Sequence, residues 1–287
     1  LPTASLEEKE ASRNKSALAG WHVVVTRAEE QANSLAERLR SLGAVPLPYP
    51  TISFVPPDDM QPLEQALRQA MQGDYNWLVL TSVNAVKAVW ARFNELGYSA
   101  PADMASPPFR LAAVGPTTTA ACQELLGIAP AVVPKKFVAE ALAEAMGPMP
   151  GQRVLLANAD IARPILQELL QQAGATVDRV VAYCTVPATG GEDIPRLLAE
   201  GRIDAITFTS GSTIRYFINR IGPEGLEHAR TVIIACIGPV AAKTARESGL
   251  PPTIVASTYT EEGLVETLLS YARSAGSHPT DTPPSGK

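Results

Sequence analysis

The sequence predicts an α/β protein of two open, parallel-sheet lobes made from one duplicated unit, on the strength of three ordered internal matches. Gly20–Ala44 (GWHVVVTRAEEQANSLAERLRSLGA) aligns with Gly151–Ala175 (GQRVLLANADIARPILQELLQQAGA) at a constant offset of 131 residues, which carries Leu35 onto Leu166 and Gly43 onto Gly174. Trp77–Val86 (WLVLTSVNAV) matches Ala205–Ile214 (AITFTSGSTI), and Ala112–Ala120 (AAVGPTTTA) matches Ala235–Lys243 (ACIGPVAAK). Matches that keep their order point to an internal duplication. Two lobes are expected to leave a cleft, and the cleft is where function is sought.

Short apolar runs alternate with amphipathic helical stretches, the mark of parallel α/β structure. In the first repeat, strands are expected near residues 22–26, 46–54, 77–81, 110–114 and 131–133. In the second they are expected near 153–157, 177–185, 204–208, 231–236 and 253–255. After the first strand, Ala28, Ala32, Leu35, Leu39 and Leu42 share one helical face, and Gly43 stops the helix as Gly174 stops its counterpart. Five strands per repeat is the number expected of a flavodoxin-like open sheet.

Two stretches differ from ordinary strand-to-helix connections: Val45–Asp59 (VPLPYPTISFVPPDD) and Val177–Asp193 (VDRVVAYCTVPATGGED). Both are long, extended in propensity, and end in Pro or Gly. They read either as strands crossing between lobes to form a two-stranded hinge or as core strands with Pro-rich exits.

Composition bounds the function. The 287 residues suffice for two domains with their own cores, and 46% hydrophobic with 18% charged residues is ordinary for a globular protein. A net charge of −5 argues against nucleic acid as a partner. No apolar run approaches the roughly 18 residues of a membrane span, and the polar start lacks the apolar core of a secretory signal. Cys122, Cys184 and Cys236 have no CxxC spacing and read as reduced thiols of a cytoplasmic protein. Residues 1–19 and 274–287 are expected to be flexible termini outside the fold.

In open α/β sheets ligands bind at the carboxyl ends of the strands, where amides of helix N-termini point outward. The loops there are Thr26-Arg27, Thr81-Ser82-Val83-Asn84, Gly115-Pro116-Thr117-Thr118-Thr119, Asn158-Ala159-Asp160, Thr209-Ser210-Gly211-Ser212-Thr213 and Gly238-Pro239. Hydroxyls, amides and glycine with few carboxylates suit a substrate carrying carboxylates or phosphates. Ser, Thr and Asn also cap helices, so each residue alone has a structural explanation. The basic residues beside these loops are Arg27, Lys87, Arg163 and Arg215.

Several chemistries lack their parts. Only His22, His228 and His278 are available for a zinc site or a Ser-His-Asp triad. Neither GxxxxGK[ST] nor a GxGxxG after the first strand occurs. An enzyme built this way works by holding a reactive substrate. Tyr183, in the second extended segment, offers a phenol for proton donation, or else an aromatic packed between domains.

Taken together, VVVTR with its following helix, LTSVNAV, TFTSGST, AAVGPTT, VAYCT, ACIGP and the closing YTEEGLVETL resemble the uroporphyrinogen-III synthase family, from about Gly20 to Tyr271. The resemblance implies exchanged segments: residues 20–50 and 183–273 in one lobe, 51–182 in the other, with the crossing strands as the hinge. It implies closure of linear hydroxymethylbilane into uroporphyrinogen III, with loss of water and inversion of ring D. It implies no cofactor and no metal; monomer is the default expectation with the oligomeric state open, charge and hydropathy argue against nucleic-acid and membrane partners, and hydroxymethylbilane synthase is a candidate source of the substrate. Carried over residue by residue, the family's tyrosine falls on Tyr183 as the catalytic group, and the threonine of its VG-x-x-T turn on Thr118, beside Thr117. Its strand-end serines fall on Ser82 and Ser210. The substrate-binding set is then Thr26, Arg27, Ser82, Asn84, Gly115, Thr117, Thr118, Asn158, Ser210, Ser212, Gly238 and Pro239. The second glycine turn departs from the pattern: Val240 and Ala241 stand where some members have threonines, leaving main-chain amides there. The rival readings are a two-lobed protein that clamps an anionic small molecule without chemistry, and a nucleotide-sugar transferase.

Overall fold

The computed structural model describes residues 17–98 and 106–275. In chain order the elements are β1 (His22–Val25), α1 (Glu29–Ser41), β2 (Val45–Pro48), β3 (Ile52–Val55), α2 (Gln61–Met71), β4 (Trp77–Leu80), α3 (Val83–Glu95) and β5 (Arg110–Ala113). There follow α4 (Pro116–Ala121), a π turn (Cys122–Leu126), α5 (Ala139–Met146), β6 (Arg153–Ala159), α6 (Ile165–Gln172) and β7 (Thr176–Pro187). The chain then forms α7 (Ile194–Ala199), β8 (Ala205–Phe208), α8 (Gly211–Ala229), β9 (Ile233–Cys236), α9 (Pro239–Glu247), β10 (Ile254–Val255) and α10 (Glu261–Ala275). It divides into two compact units, one combining the residues up to Ser53 with those from Pro187 onward, the other Phe54–Val186.

The first unit holds a sheet in the order β10-β9-β8-β1-β2, its pairs parallel. Its central strands are short apolar runs, such as VVV in β1 and IIAC in β9, as strands covered on both faces require. Side chains alternate between the faces. Val24, Ile206, Phe208 and Ile234 pack with Phe217 of α8 and Ala241 of α9. Val23, Val25, Ala205 and Ala235 pack with Leu35 and Leu39 of α1 and Leu264 and Leu268 of α10.

The second unit holds the sheet β3-β7-β6-β4-β5, with the β7-β6-β4-β5 pairs parallel. Leu78, Leu80, Leu111 and Leu155 face Leu63 and Leu67 of α2 and Val86 and Val89 of α3. Trp77, Val79, Val154 and Leu156 face Leu142 of α5 and Leu166 and Leu170 of α6.

The expected helix ends hold: α1 and α6 stop before Gly43 (φ 87°) and Gly174 (φ 96°), left-handed conformations that glycine adopts without steric cost. Three strand expectations need correction. The single strand at 46–54 is two, broken at Tyr49–Thr51. Val45 and Tyr49 donate their amides to Trp21 and Val25, so the intervening Pro46 and Pro48, lacking N–H groups, fit only because β2 is an edge. Residues 131–133 make one parallel bridge, Val132 to Ala112, confined by Pro130 and Pro134. The strand expected to begin at residue 231 begins at Ile233.

The folded part starts earlier than expected, because Leu18 is fully buried in the core with Trp21. Helix α10 also continues to Ala275. The remainder of the expected flexible termini, 1–16 and 276–287, lies outside the described residues. The division between units falls a few residues later at each crossing than the expected 50/51 and 182/183, which puts Tyr183 in the second unit. No helix among the described residues is long and apolar enough to cross a membrane.

Candidate active site

In the second unit, β4 ends beneath Ser82, whose extended backbone (φ −153°, ψ 156°) makes it the N-cap of α3. Its Oγ accepts the Ala85 amide at 3.1 Å, satisfying one of the otherwise free N–H groups of the helix start. Tyr183 reaches the same point from β7. There the ladder slips: Asn158 pairs with Val181 but Ala159 pairs with Tyr183, leaving Ala182 as an extra residue. Such a bulge turns the following side chain to a new direction. The phenol oxygen lies 3.1 Å from Ser82 Oγ, and the Asn84 side chain hydrogen-bonds to it as well. The Phe54 ring meets the Tyr183 ring edge-on, with centroids 5.5 Å apart. Burial pushes the phenol above its ordinary value of 10.0, and the Ser82 and Asn84 hydrogen bonds draw it partly back. The phenol is thus neutral at physiological pH and keeps its proton to donate.

Three expected residues therefore come together, Tyr183, Ser82 and Asn84. The others in this unit do not join them as direct groups. Asn158 is buried, with Oδ1 accepting from Arg179 Nε at 3.1 Å. Arg179 also donates to the Ala162 carbonyl at 2.9 Å, so the pair fastens the loop after β6. In this structure Asn158 is engaged with Arg179 and turned into the interior. Thr118 is buried on the inner side of α4, while Thr117 stands exposed. The buried Gly115 precedes them, and its carbonyl accepts the Thr119 hydroxyl at 3.0 Å.

In the first unit, Thr26 is fully buried and donates its hydroxyl to the Thr207 carbonyl at 2.7 Å, while Thr207 donates to the Val24 carbonyl at 2.7 Å. These two threonines lock β1 to β8, which commits the Thr26 hydroxyl to the strand pair. The Arg27 guanidinium pairs with Glu261 and donates to Gln31 at 3.1 Å, and burial lowers its pKa. Ser210 repeats the capping role of Ser82 on α8, accepting the Thr213 amide at 3.2 Å, and its hydroxyl meets that of Ser212 at 2.9 Å. Gly238 and Pro239 open α9, with Gly238 buried and Pro239 exposed. Lys87, Arg163 and Arg215 are exposed. A concavity of about 450 Å³ runs between α1 and the edge strand β2, and Arg27 is the one expected residue that lines it.

Sequence reading missed Phe54 and the bulge at Ala182. The aromatic in ISFV was visible, but nothing local distinguishes a ring that backs a tyrosine from an ordinary strand residue. Among the described residues, no three His, Cys, Asp or Glu side chains gather as metal ligands.

Two open parallel-sheet units with polar helix starts at the carboxyl ends of their strands define an α/β protein of the ligand-binding, open-sheet class. The model of the family described as uroporphyrinogen-III synthase HemD matches residues 33–266, and the chain belongs to that family. Its relatives include a uroporphyrinogen-III synthase of Synechococcus elongatus, 32% identical over 89% of this chain and 97% of that one. A porphyrin biosynthesis protein HemD of Ruminiclostridium josui is 30% identical over 92% of this chain and 51% of its own length. Among solved structures, a mutant uroporphyrinogen III synthase from Thermus thermophilus shares the fold, with TM-score 0.63 at 20% identity, covering 89% of this chain and 98% of that one. The chain is accordingly an enzyme of porphyrin biosynthesis that cyclises hydroxymethylbilane.

Proposed function

We propose that ring closure proceeds with inversion of ring D, giving uroporphyrinogen III, and that Tyr183 assists departure of the hydroxyl. Family membership supports the ring-closure reading, and the 3.1 Å approach of the Tyr183 phenol to the capping serine of α3 carries the role of Tyr183. Ser82 Oγ already accepts from Ala85, so its own proton can go to the phenol oxygen, leaving the Tyr183 proton for the substrate. The electron-rich pyrrole expels the protonated hydroxyl as water and forms an azafulvene. That electrophile is attacked by the substituted carbon of ring D, and a spiro intermediate rearranges to the inverted ring. Loss of a proton from the ring restores aromaticity and balances the proton given by the phenol.

The pyrrole nitrogen supplies the electrons, so no cofactor or metal has a step to perform. The protein's task is orientation, which in favourable cases is worth roughly 7–11 kcal/mol. We assign the carboxylate contacts to the exposed Thr117, to Ser210 and Ser212, and to the main-chain amides after Gly115 and Gly238. We further read the strand orders β7-β6-β4-β5 and β2-β1-β8-β9-β10 as flavodoxin-like, descended from one duplicated unit, with β3 and β7 as the connecting hinge. We read the enzyme as a monomer of the cytoplasm that takes its unstable substrate from hydroxymethylbilane synthase; the three free cysteines support only the reducing compartment. Incubation with hydroxymethylbilane, followed by separation of type I and type III isomers, tests the function. Excess type III over the spontaneous closure is expected, and an unchanged isomer ratio overturns the reading.

A further inference from the structure

Two large aromatic side chains stand exposed at matching places. Phe137 is 58% exposed and Tyr259 65%. Each lies two residues before a helix, α5 or α10, and each rests on the glycine of a Gly-Pro turn that follows a strand. A Cβ on Gly115 would come within 3.3 Å of Phe137 Cγ, and one on Gly238 within 3.0 Å of Tyr259 Cδ1. Gly115 (φ −160°) and Gly238 (φ 177°) have extended backbones that any residue adopts. A side chain at either glycine would press on the ring that lies against it and shift it by a few tenths of an ångström. A hydrophobic residue before a helix commonly packs inward on the next turn as a staple. These two rings instead lie on a backbone surface, with more than half of their area open. Val138 and Val240, beside the same turns, are exposed as well, at 42% and 65%.

We propose that Phe137 and Tyr259 are substrate-contacting residues, each stacking on a pyrrole ring of the linear tetrapyrrole. Both rings sit at the carboxyl ends of their sheets, after β5 and β9, where open α/β sheets bind ligands. A ring whose base packs on a glycine turn, with the rest of it open, offers a flat surface to another flat ring. Pyrroles bearing carboxylate arms need such a platform as well as hydrogen-bond donors, since the donors hold the arms and leave the rings free to turn. The inference rests on the proposed synthase reading and adds the groups that hold the rings.

Steady-state kinetics with hydroxymethylbilane on the full chain provide the test. Phe137→Ala and Tyr259→Ala are each expected to raise KM about 3- to 10-fold, the size of one aromatic stacking contact. Phe137→Trp and Tyr259→Phe are expected to restore it. Gly238→Ala, which displaces the Tyr259 ring, should raise KM as Tyr259→Ala does, and the double variant should be no worse than Tyr259→Ala. If an alanine variant fails to fold by circular dichroism, the leucine variant, with apolar bulk but no π face, is measured in its place and must also raise KM. Unchanged KM in the alanine or leucine variants of an active protein overturns the stacking role alone. A wild-type protein that makes no excess type III isomer overturns the synthase reading instead.

Discussion

The Tyr183 hydroxyl lies 3.1 Å from Ser82 Oγ, joining residues 101 positions apart in sequence. The bulge at Ala182 aims the tyrosine, and the helix start holds its oxygen. In the proposed mechanism this phenol is the acid. Tyr183→Phe is expected to reduce kcat for type III formation by about 10²- to 10⁴-fold, the usual range for a general acid. Ser82→Ala should lower kcat less and leave KM nearly constant. Because burial raises the Tyr183 pKa above 10.0, the wild-type rate should hold through neutral pH and fall only above pH 10. The residual activity of Tyr183→Phe should lack that fall. A wild-type rate in the phenylalanine variant would remove Tyr183 from the chemistry.

Thr26 supplies a contrasting case. Its hydroxyl is spent on the Thr207 carbonyl in the interior of the first unit. Thr26→Val keeps the shape and leaves that carbonyl one donor short, which should cost about 1 kcal/mol of stability. KM for hydroxymethylbilane is expected to stay the same. A raised KM with unchanged thermal stability would return Thr26 to the binding set.

Burial raises the Cys122 thiol to about 12 and the Cys236 thiol to about 11, from 9.0. The Cys184 thiol is raised as well, but Cys122 and Cys236 are buried, so a thiol reagent at pH 8 should modify the half-exposed Cys184 first in the native protein. The folded state holds these protons more tightly than the unfolded chain. Their contribution to stability is complete below pH 9 and is lost as pH rises through 9 towards 11 and 12. Denaturant midpoints should therefore decline above pH 9, and less steeply in Cys122→Ala.

Gly191 combines a positive φ of 77° with a close approach to the Pro48 carbonyl, where a Cβ would collide. The adjacent Glu192 amide donates to that same carbonyl at 2.8 Å, so the loop has little room to withdraw. Gly191→Ala should destabilise the first unit by about 1–3 kcal/mol, read as a lowered thermal midpoint. An unchanged midpoint would mean that the loop relaxes without penalty.

Much of the site's framework was legible because it depends on local chemistry. Ser82 and Ser210 stand between an apolar run and a helical period, and both are caps. Asn158 and Thr26 occupy strand ends of the same composition but turn inward to Arg179 and Thr207. A hydroxyl or amide at a strand end can face solvent or a neighbouring strand, and the partner that decides lies 21 residues away in one case and 181 in the other. Tyr183 stands out in the sequence for its phenol, but its contact with Ser82 depends on an unpaired residue in β7 that leaves no local mark.

By itself the sequence determined most of the strands and helices and the glycine stops of α1 and α6, since hydrophobic period and backbone freedom are properties of neighbouring residues. Tertiary structure alone decided which strands share a sheet. The runs VVV, WLVL and AITF are interchangeable as buried strands, yet β1 pairs with β8 and β4 with β6. That choice is set by how completely each sheet covers both faces, a sum over helices such as α1 and α10 that lie more than 200 residues apart and that no local window contains.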